Sequence, residues 1–277
     1  MGNSTTLSWA PEHPATQGRV KVSNPSYFDA YPNLAITRDG NGVLTVRFHT
    51  DGGPILFTGR THEDLTHALE EISLDHGNRA MILTGTGDAF MDQIDGPSLG
   101  EIFKPAVWEK MRVEGLKVLQ RLVELPVPVV GVANGPATVH SEYLLLSDLH
   151  IASERAVYGD YPHPAFGITG GDGMQVAWEE AVGTARMRWL LWTGENIDAQ
   201  TALQWGAVNE VVAHDKAYAR GLEIATKLAA KPDLYRRLQK QTLNQRLRRR
   251  IVEGVPYGMA LEGLSAADLA YQAQSAG

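Results

Sequence analysis

The chain has 277 residues, 43% hydrophobic and 21% charged, ordinary globular usage that excludes disorder and fibres and fits one large domain or a core with an appendage. Its 25 Lys and Arg against 32 Asp and Glu give a net charge of −7, which argues against nucleic-acid binding, and the absence of cysteine excludes disulfide frameworks, thiol catalysis and Cys-ligated metals. No apolar run approaches the roughly 18 residues of a membrane span, and the segment Met1 to Leu7 lacks the basic and apolar regions of an export signal, so a cytoplasmic protein with no membrane contact is expected.

Residues 1–32 are rich in Pro, Ser, Asn and Tyr without a sustained period and read as an N-terminal arm. Leu34 to Thr37 and Val43 to Phe48 flank Asp39-Gly40-Asn41-Gly42, a hairpin signal. Thr61 is the expected cap of a helix carrying Leu65, Leu69 and Ile72, and Ala80 to Thr84 is a short apolar strand. An amphipathic helix is expected from Val107 to Leu125, stopped by Pro126 and Pro128, with Val129 to Ala133 as a buried strand. A short helix, Glu142 to Ser147, and a strand near Leu149 to Ala152 repeat the alternation. Residues 153–173 hold many Gly and Pro and read as a long irregular segment, a length that usually signals function. Helices over Met174 to Val182, Thr184 to Leu191 and Ala199 to Trp205 lead to a last strand, Val208 to Val212, and everything beyond Asp215 reads as helical. The pattern predicts an α/β core over 33–214 with a helical region over 215–277 as a separate cover. Seven basic residues and no acidic one lie between Arg236 and Arg250, read as a helix face that pairs with an acidic surface.

Two of the nine histidines stand out by position. His140 follows the buried strand and its Asn134-Gly135-Pro136 turn, and His163 sits within the long segment, between two prolines. A histidine working as a base near neutral pH needs a partner that fixes its tautomer, and Asp172 is the candidate. Asp172 with Gln175 also forms a capping box before the next helix, and the two roles are compatible. Taken alone, His163 could equally be an exposed loop side chain and His140 a satisfied residue at a strand–helix corner. The sequence contains no H-E-x-x-H, no G-x-S-x-G, no Walker loop and no G-x-G-x-x-G.

Several segments together resemble the crotonase (enoyl-CoA hydratase/isomerase) superfamily: ILTGTGDAF at 82–90, PVPVVGVANG at 126–135, TGENIDAQ at 193–200 and ALQWGAVNEVV at 202–212. The resemblance runs in consistent order over residues 33–262. It implies a spiral of ββα units with a helical C-terminal region, assembled as a trimer or a dimer of trimers. Two departures matter. Gln93 stands where a glycine usually contributes to the oxyanion hole, and Ala137-Thr138-Val139-His140-Ser141 replaces the usual glycine run. Close backbone approach to a thioester oxygen depends on such glycines, so the remodelling argues against ordinary CoA-thioester chemistry.

The same departures resemble the branch of 6-oxocamphor hydrolase and related β-diketone hydrolases, in which Asn-Gly-Pro-x-Thr-x-His carries a working histidine, matched here by Asn134 to His140. A second working histidine and an aspartate correspond to His163 and Asp172, and a carboxylate of the C-terminal helices to Glu262. Where the camphor enzyme has a tryptophan, this sequence has Phe57, so an indole donor is lost from the substrate-binding position. The resemblance implies retro-Claisen hydrolysis of an apolar cyclic or bicyclic 1,3-diketone. His163 activates water, Asp172 orients it, His140 hydrogen-bonds a carbonyl and protonates the enolate, and Glu262 completes the polar network. Neither a cofactor nor a metal ion is implied. Two other readings remain, a CoA-dependent hydratase, isomerase or hydrolase and a non-catalytic assembly module.

Overall fold

Asp39 accepts hydrogen bonds from the amides of Asn41 and Val43, at 2.8 and 2.9 Å, and so closes the turn between β1 (Leu34–Arg38) and β2 (Val43–Phe48). The computed structural model describes residues 24–275. Most of the expected arm, residues 1–23, lies outside the described residues, and of the remainder Tyr27 and Phe28 are buried against the core. After β2 come β3 (Leu56–Phe57), α1 (Gly59–Leu74), β4 (Ala80–Thr84), β5 (Gln93–Ile94), α2 (Pro105–Glu124) and β6 (Val129–Ala133). The second half runs α3 (Glu142–Leu145), β7 (Leu149–Ser153), β8 (Val157–Tyr158), α4 (Pro162–Phe166), α5 (Met174–Val182), α6 (Thr184–Thr193), β9 (Ile197–Asp198), α7 (Ala199–Trp205), β10 (Glu210–Val212), α8 (Ala217–Ala229) and α9 (Asp233–Ser275).

Six strands form one sheet in the order β1-β2-β4-β6-β7-β10, antiparallel between β1 and β2 and parallel elsewhere. Side chains alternate across it, as the two-residue period requires. Met81 and Leu83 of β4 join the large core with Leu69 of α1 and Leu119 of α2. Ala80 and Ile82 join a second cluster with Ala217, Ala225 and Ala229 of α8. Thus α8 is a layer of the sheet itself, while α9 packs along α2.

Three local expectations change. Thr58, not Thr61, caps α1, accepting from the Thr61 amide at 3.2 Å. The segment 153–173 contains β8 and the one-turn helix α4, which starts at Pro162 and ends at Gly167 in the left-handed region. The N-cap of α5 is Gly173, at φ +112°, and it makes no side-chain cap, so the Asp172–Gln175 capping box does not form. Gln175 instead accepts from the Gly173 amide and donates to the carbonyls of Gly171 and Gly254.

The basic run on α9 finds its acidic surface within the chain. Arg246 and Arg250 pair with Glu180, Arg248 with Glu124, Lys240 with Asp148 and Arg236 with Asp233. Leu234, Leu238 and Leu243 of α9 are exposed, whereas Leu247 packs against the core. Among the described residues, no helix is long and apolar enough to cross a membrane.

Candidate active site

A cavity of about 650 Å³ lies between α2, the α4 region and α9, and all five singled-out residues, Phe57, His140, His163, Asp172 and Glu262, line it. Most of its wall is apolar, including Ile94, Met111, Leu119, Phe166 and Met259, and its charged groups gather at one end. Sites with a few convergent polar groups in an apolar pocket are the usual form of small-molecule sites.

The elements place these residues for local reasons. His140 follows β6 and its turn, and adopts φ +50°, a left-handed conformation uncommon for residues with a side chain. Its ring stacks on Tyr143 of α3, with centroids 4.8 Å apart and planes 5° apart, and meets the Phe57 ring at 4.3 Å. His163 is held by Pro162, which starts α4. Glu262 comes from α9, ninety-nine residues away, because the backbones of Gly171 and Gly258 touch: a Cβ on Gly171 would lie 2.1 Å from the Gly258 carbonyl oxygen. The Gly171 amide then donates to Glu262 Oε2 at 3.1 Å.

Each histidine is held at Nδ1 by a buried carboxylate that the sequence analysis did not single out. His163 Nδ1 lies 2.6 Å from Asp160 Oδ1, and His140 Nδ1 lies 2.7 Å from Glu142 Oε1. His163 Nε2 lies 3.2 Å from Glu262 Oε1. Asp172 sits between the two rings, 3.8 Å from His163 Nε2 and 3.9 Å from His140 Nδ1, too far for a hydrogen bond to either. Its Oδ1 is buried without a hydrogen-bond partner, as is Glu142 Oε2. The expected His163–Asp172 dyad is therefore a charge contact, and Asp160 is the residue that orients the ring. A signal existed in Asp160-x-x-His163 and His140-x-Glu142, but it has meaning only once the intervening backbone turns.

Electrostatics follow from this crowding. Burial opposes charge on His163, but Asp172, Asp160 and Glu262 outweigh it and hold the imidazolium well above the ordinary histidine range. Burial likewise opposes charge on His140, and the Glu142 carboxylate with Asp172 overcomes it, against repulsion from His163. Burial pushes Glu142 upward despite His140. Burial and then the Asp172 charge push Glu262 up to about 7, with His163 pulling the other way.

Donor atoms of His140, Glu142 and Asp172, and of His163, Asp172 and Glu262, each lie within 4.8 Å of one another, a spacing a cation could also use. In both groups a histidine nitrogen already shares a proton with a carboxylate. The cavity wall does contain an indole, Trp108, but its N–H is committed to the Met259 carbonyl at 2.9 Å. Gln93, at the remodelled oxyanion position, forms part of β5, paired in parallel with β3.

Comparison with known proteins identifies the family and the fold. The family model for enoyl-CoA hydratase/isomerase matches residues 39–261. The short-chain-enoyl-CoA hydratase of Clostridium acetobutylicum is 31% identical over 216 residues, covering 77% of this chain and 81% of that protein. A solved β-diketone hydrolase from the cyanobacterium Anabaena sp. PCC 7120, bound to (S)-3-oxocyclohexyl acetic acid, is 46% identical, with a TM-score of 0.88 over 90% of this chain and 100% of that one. An enoyl-CoA hydratase/isomerase structure from Mycobacterium paratuberculosis is 25% identical, with a TM-score of 0.79 over 85% of this chain and 94% of that one. This chain belongs to the enoyl-CoA hydratase/isomerase family, the crotonase superfamily.

Proposed function

We propose that this protein is a cofactor-independent hydrolase that cleaves a carbon–carbon bond of cyclic or bicyclic 1,3-diketones and releases keto acids. The observation that carries the reading is the pair of carboxylate-held histidines at the charged end of an apolar cavity. Likeness to the Anabaena β-diketone hydrolase supports it. The keto acid bound to that protein has the skeleton left when water opens one bridgehead–carbonyl bond of a bicyclic 1,3-diketone.

In the reaction, the His163–Glu262 pair, holding one proton between His163 Nε2 and the carboxylate, draws a second from water as the water oxygen adds to one carbonyl carbon. The tetrahedral adduct expels the central carbon as an enolate, whose charge the second carbonyl carries. His140 donates to that carbonyl oxygen through Nε2, and its proton ends on the central carbon. Asp160 fixes the His163 ring, Asp172 supplies negative charge to both imidazoles, and Glu262 shares the proton at His163 Nε2. No nucleophile is acylated and no thioester is needed. Phe57 and the apolar wall favour diketones blocked at the central carbon, which cannot hide as unreactive enols.

A panel of cyclic 1,3-diketones and acyl-CoA thioesters, each with and without EDTA, tests the reading. We expect keto acids from bicyclic diketones, no turnover of thioesters and no loss with chelator. Thioester turnover without diketone turnover would support the CoA-dependent alternative, and EDTA-sensitive activity would implicate a metal ion.

The pH profile has an expected sign. Glu262 titrates at about 7, so below that pH the His163–Glu262 pair holds both protons and offers no basic atom. Activity should rise through about pH 7, and Glu262→Gln should remove that limb. Measuring kcat/KM against pH for both proteins checks this, and an unchanged acid limb in the variant would contradict it.

We further propose a cytoplasmic homo-oligomer, a trimer or a dimer of trimers, in which residues 215–277 contribute the contacts. Exposed Leu234, Leu238 and Leu243, with Trp192 at 87% exposure, motivate this. Sedimentation should give a mass at least three times the 30.2 kDa protomer, and a stable monomer at micromolar concentration would refute it.

A further inference from the structure

We propose that Glu142 is a positioning residue: its buried carboxylate keeps a proton on Nε2 of His140, making that atom a donor toward the substrate carbonyl. The step it serves rests on the diketone-hydrolase reading, but the protonation of His140 does not.

The argument starts from an expensive burial. Glu142 is 1% exposed, accepts at one oxygen from His140 and leaves the other without a partner. A buried carboxylate with an oxygen left unpaired is costly to hold inside a protein. Local structure gives little reason for it. Helix α3 is a single turn of four residues whose N-cap, Ser141, makes no side-chain cap, so the dipole that a first-turn acid could serve is small. What Glu142 touches is the ring of His140, whose own backbone is strained at φ +50°.

Proton counting then assigns the role. A histidine donating from Nδ1 to a carboxylate has its second nitrogen bare when neutral, and a bare Nε2 is an acceptor. Among the described residues, Nε2 of His140 has no hydrogen-bond partner while the ring lines the cavity. A bare Nε2 would repel a carbonyl oxygen. It can donate only if the His140–Glu142 pair holds two protons, which needs the carboxylate. The charged and titratable groups facing His140 agree: Glu142 and Tyr143 from α3, Asp172 ahead of α5, His163 from α4, Glu262 from α9 and His62 across the Phe57 ring. Three of these six groups are carboxylates, and of those Glu142 is the one in hydrogen-bond contact.

Glutamine at this position can still accept from Nδ1, so the ring stays in place while the charge is lost. Glu142→Gln should therefore lower kcat at pH 8 by about tenfold or more, with a smaller change in KM, and the loss should grow as pH rises and His140 gives up its proton. Glu142→Asp should restore part of the alkaline activity. Nitrogen NMR of the histidine rings provides an arm independent of substrate: Nε2 of His140 should carry a proton at pH 8 in the unmodified protein and lose it in Glu142→Gln. A bare Nε2 in the unmodified protein overturns the proposal, even if Glu142→Gln does not fold. So does a Glu142→Gln variant with an unchanged pH profile. Absence of diketone turnover with a protonated Nε2 would remove the proposed reaction and leave the role of Glu142 standing.

Discussion

Replacing His163 with alanine is expected to lower kcat for bicyclic diketone hydrolysis by about a hundredfold or more, the range a positioned general base contributes. The ring bridges Asp160 and Glu262, at 2.6 and 3.2 Å, so its removal leaves two buried carboxylates facing each other and no base between them. The double variant of His163→Ala with Asp172→Asn should be scarcely slower than His163→Ala alone, because groups that act as a unit are not additive. Steady-state kinetics of the two single variants and the double decides it. Additive losses would mean that Asp172 acts elsewhere.

Asp172→Asn carries the second large effect, again about a hundredfold in rate. At 3.8 and 3.9 Å from the two imidazoles, its charge is within reach of both. A unit charge pair at such a distance is worth roughly 4 kcal/mol at an effective dielectric near 20, enough to change the protonation of either ring. Asp172 does not cap α5, and its Oδ1 has no partner, so the asparagine should leave the melting temperature unchanged or raise it. Turnover near that of the unmodified protein would remove Asp172 from the mechanism and leave Asp160 as the only carboxylate that His163 needs. A large fall in melting temperature would instead mean that Asp172 supports the start of α5 in a way the cap geometry does not reveal.

The fold was legible where hydrophobic pattern is dense. β4 and β6 are five-residue strands buried throughout, and α5 and α7 match their expected bounds residue for residue. The two-residue strands β3, β5, β8 and β9 were not found, since two residues carry no period. The contact of α8 with the sheet was also hidden, because Ala217, Ala225 and Ala229 make it with small side chains that contribute little to a hydrophobic pattern. In the site, the positions of His140 and His163 pointed to them, while Glu262 and Phe57 came through resemblance, and one cavity gathers all four with Asp172. Asp160 and Glu142 escaped for a physical reason. An acid in the first turn of a helix, as Glu142 is in α3, ordinarily serves the helix dipole. Asp160 lay in a segment read as irregular, where a spacing of three residues brings nothing together until Pro162 starts a turn.

Hydrolysis of a bicyclic 1,3-diketone in heavy-oxygen water, followed by mass spectrometry of the product, tests the central claim most directly. The account predicts a keto acid with one heavy oxygen in its carboxyl group on the first turnover, formed by the unmodified protein without CoA and abolished in His163→Ala. Recovery of unchanged diketone under conditions where the protein is folded would contradict it.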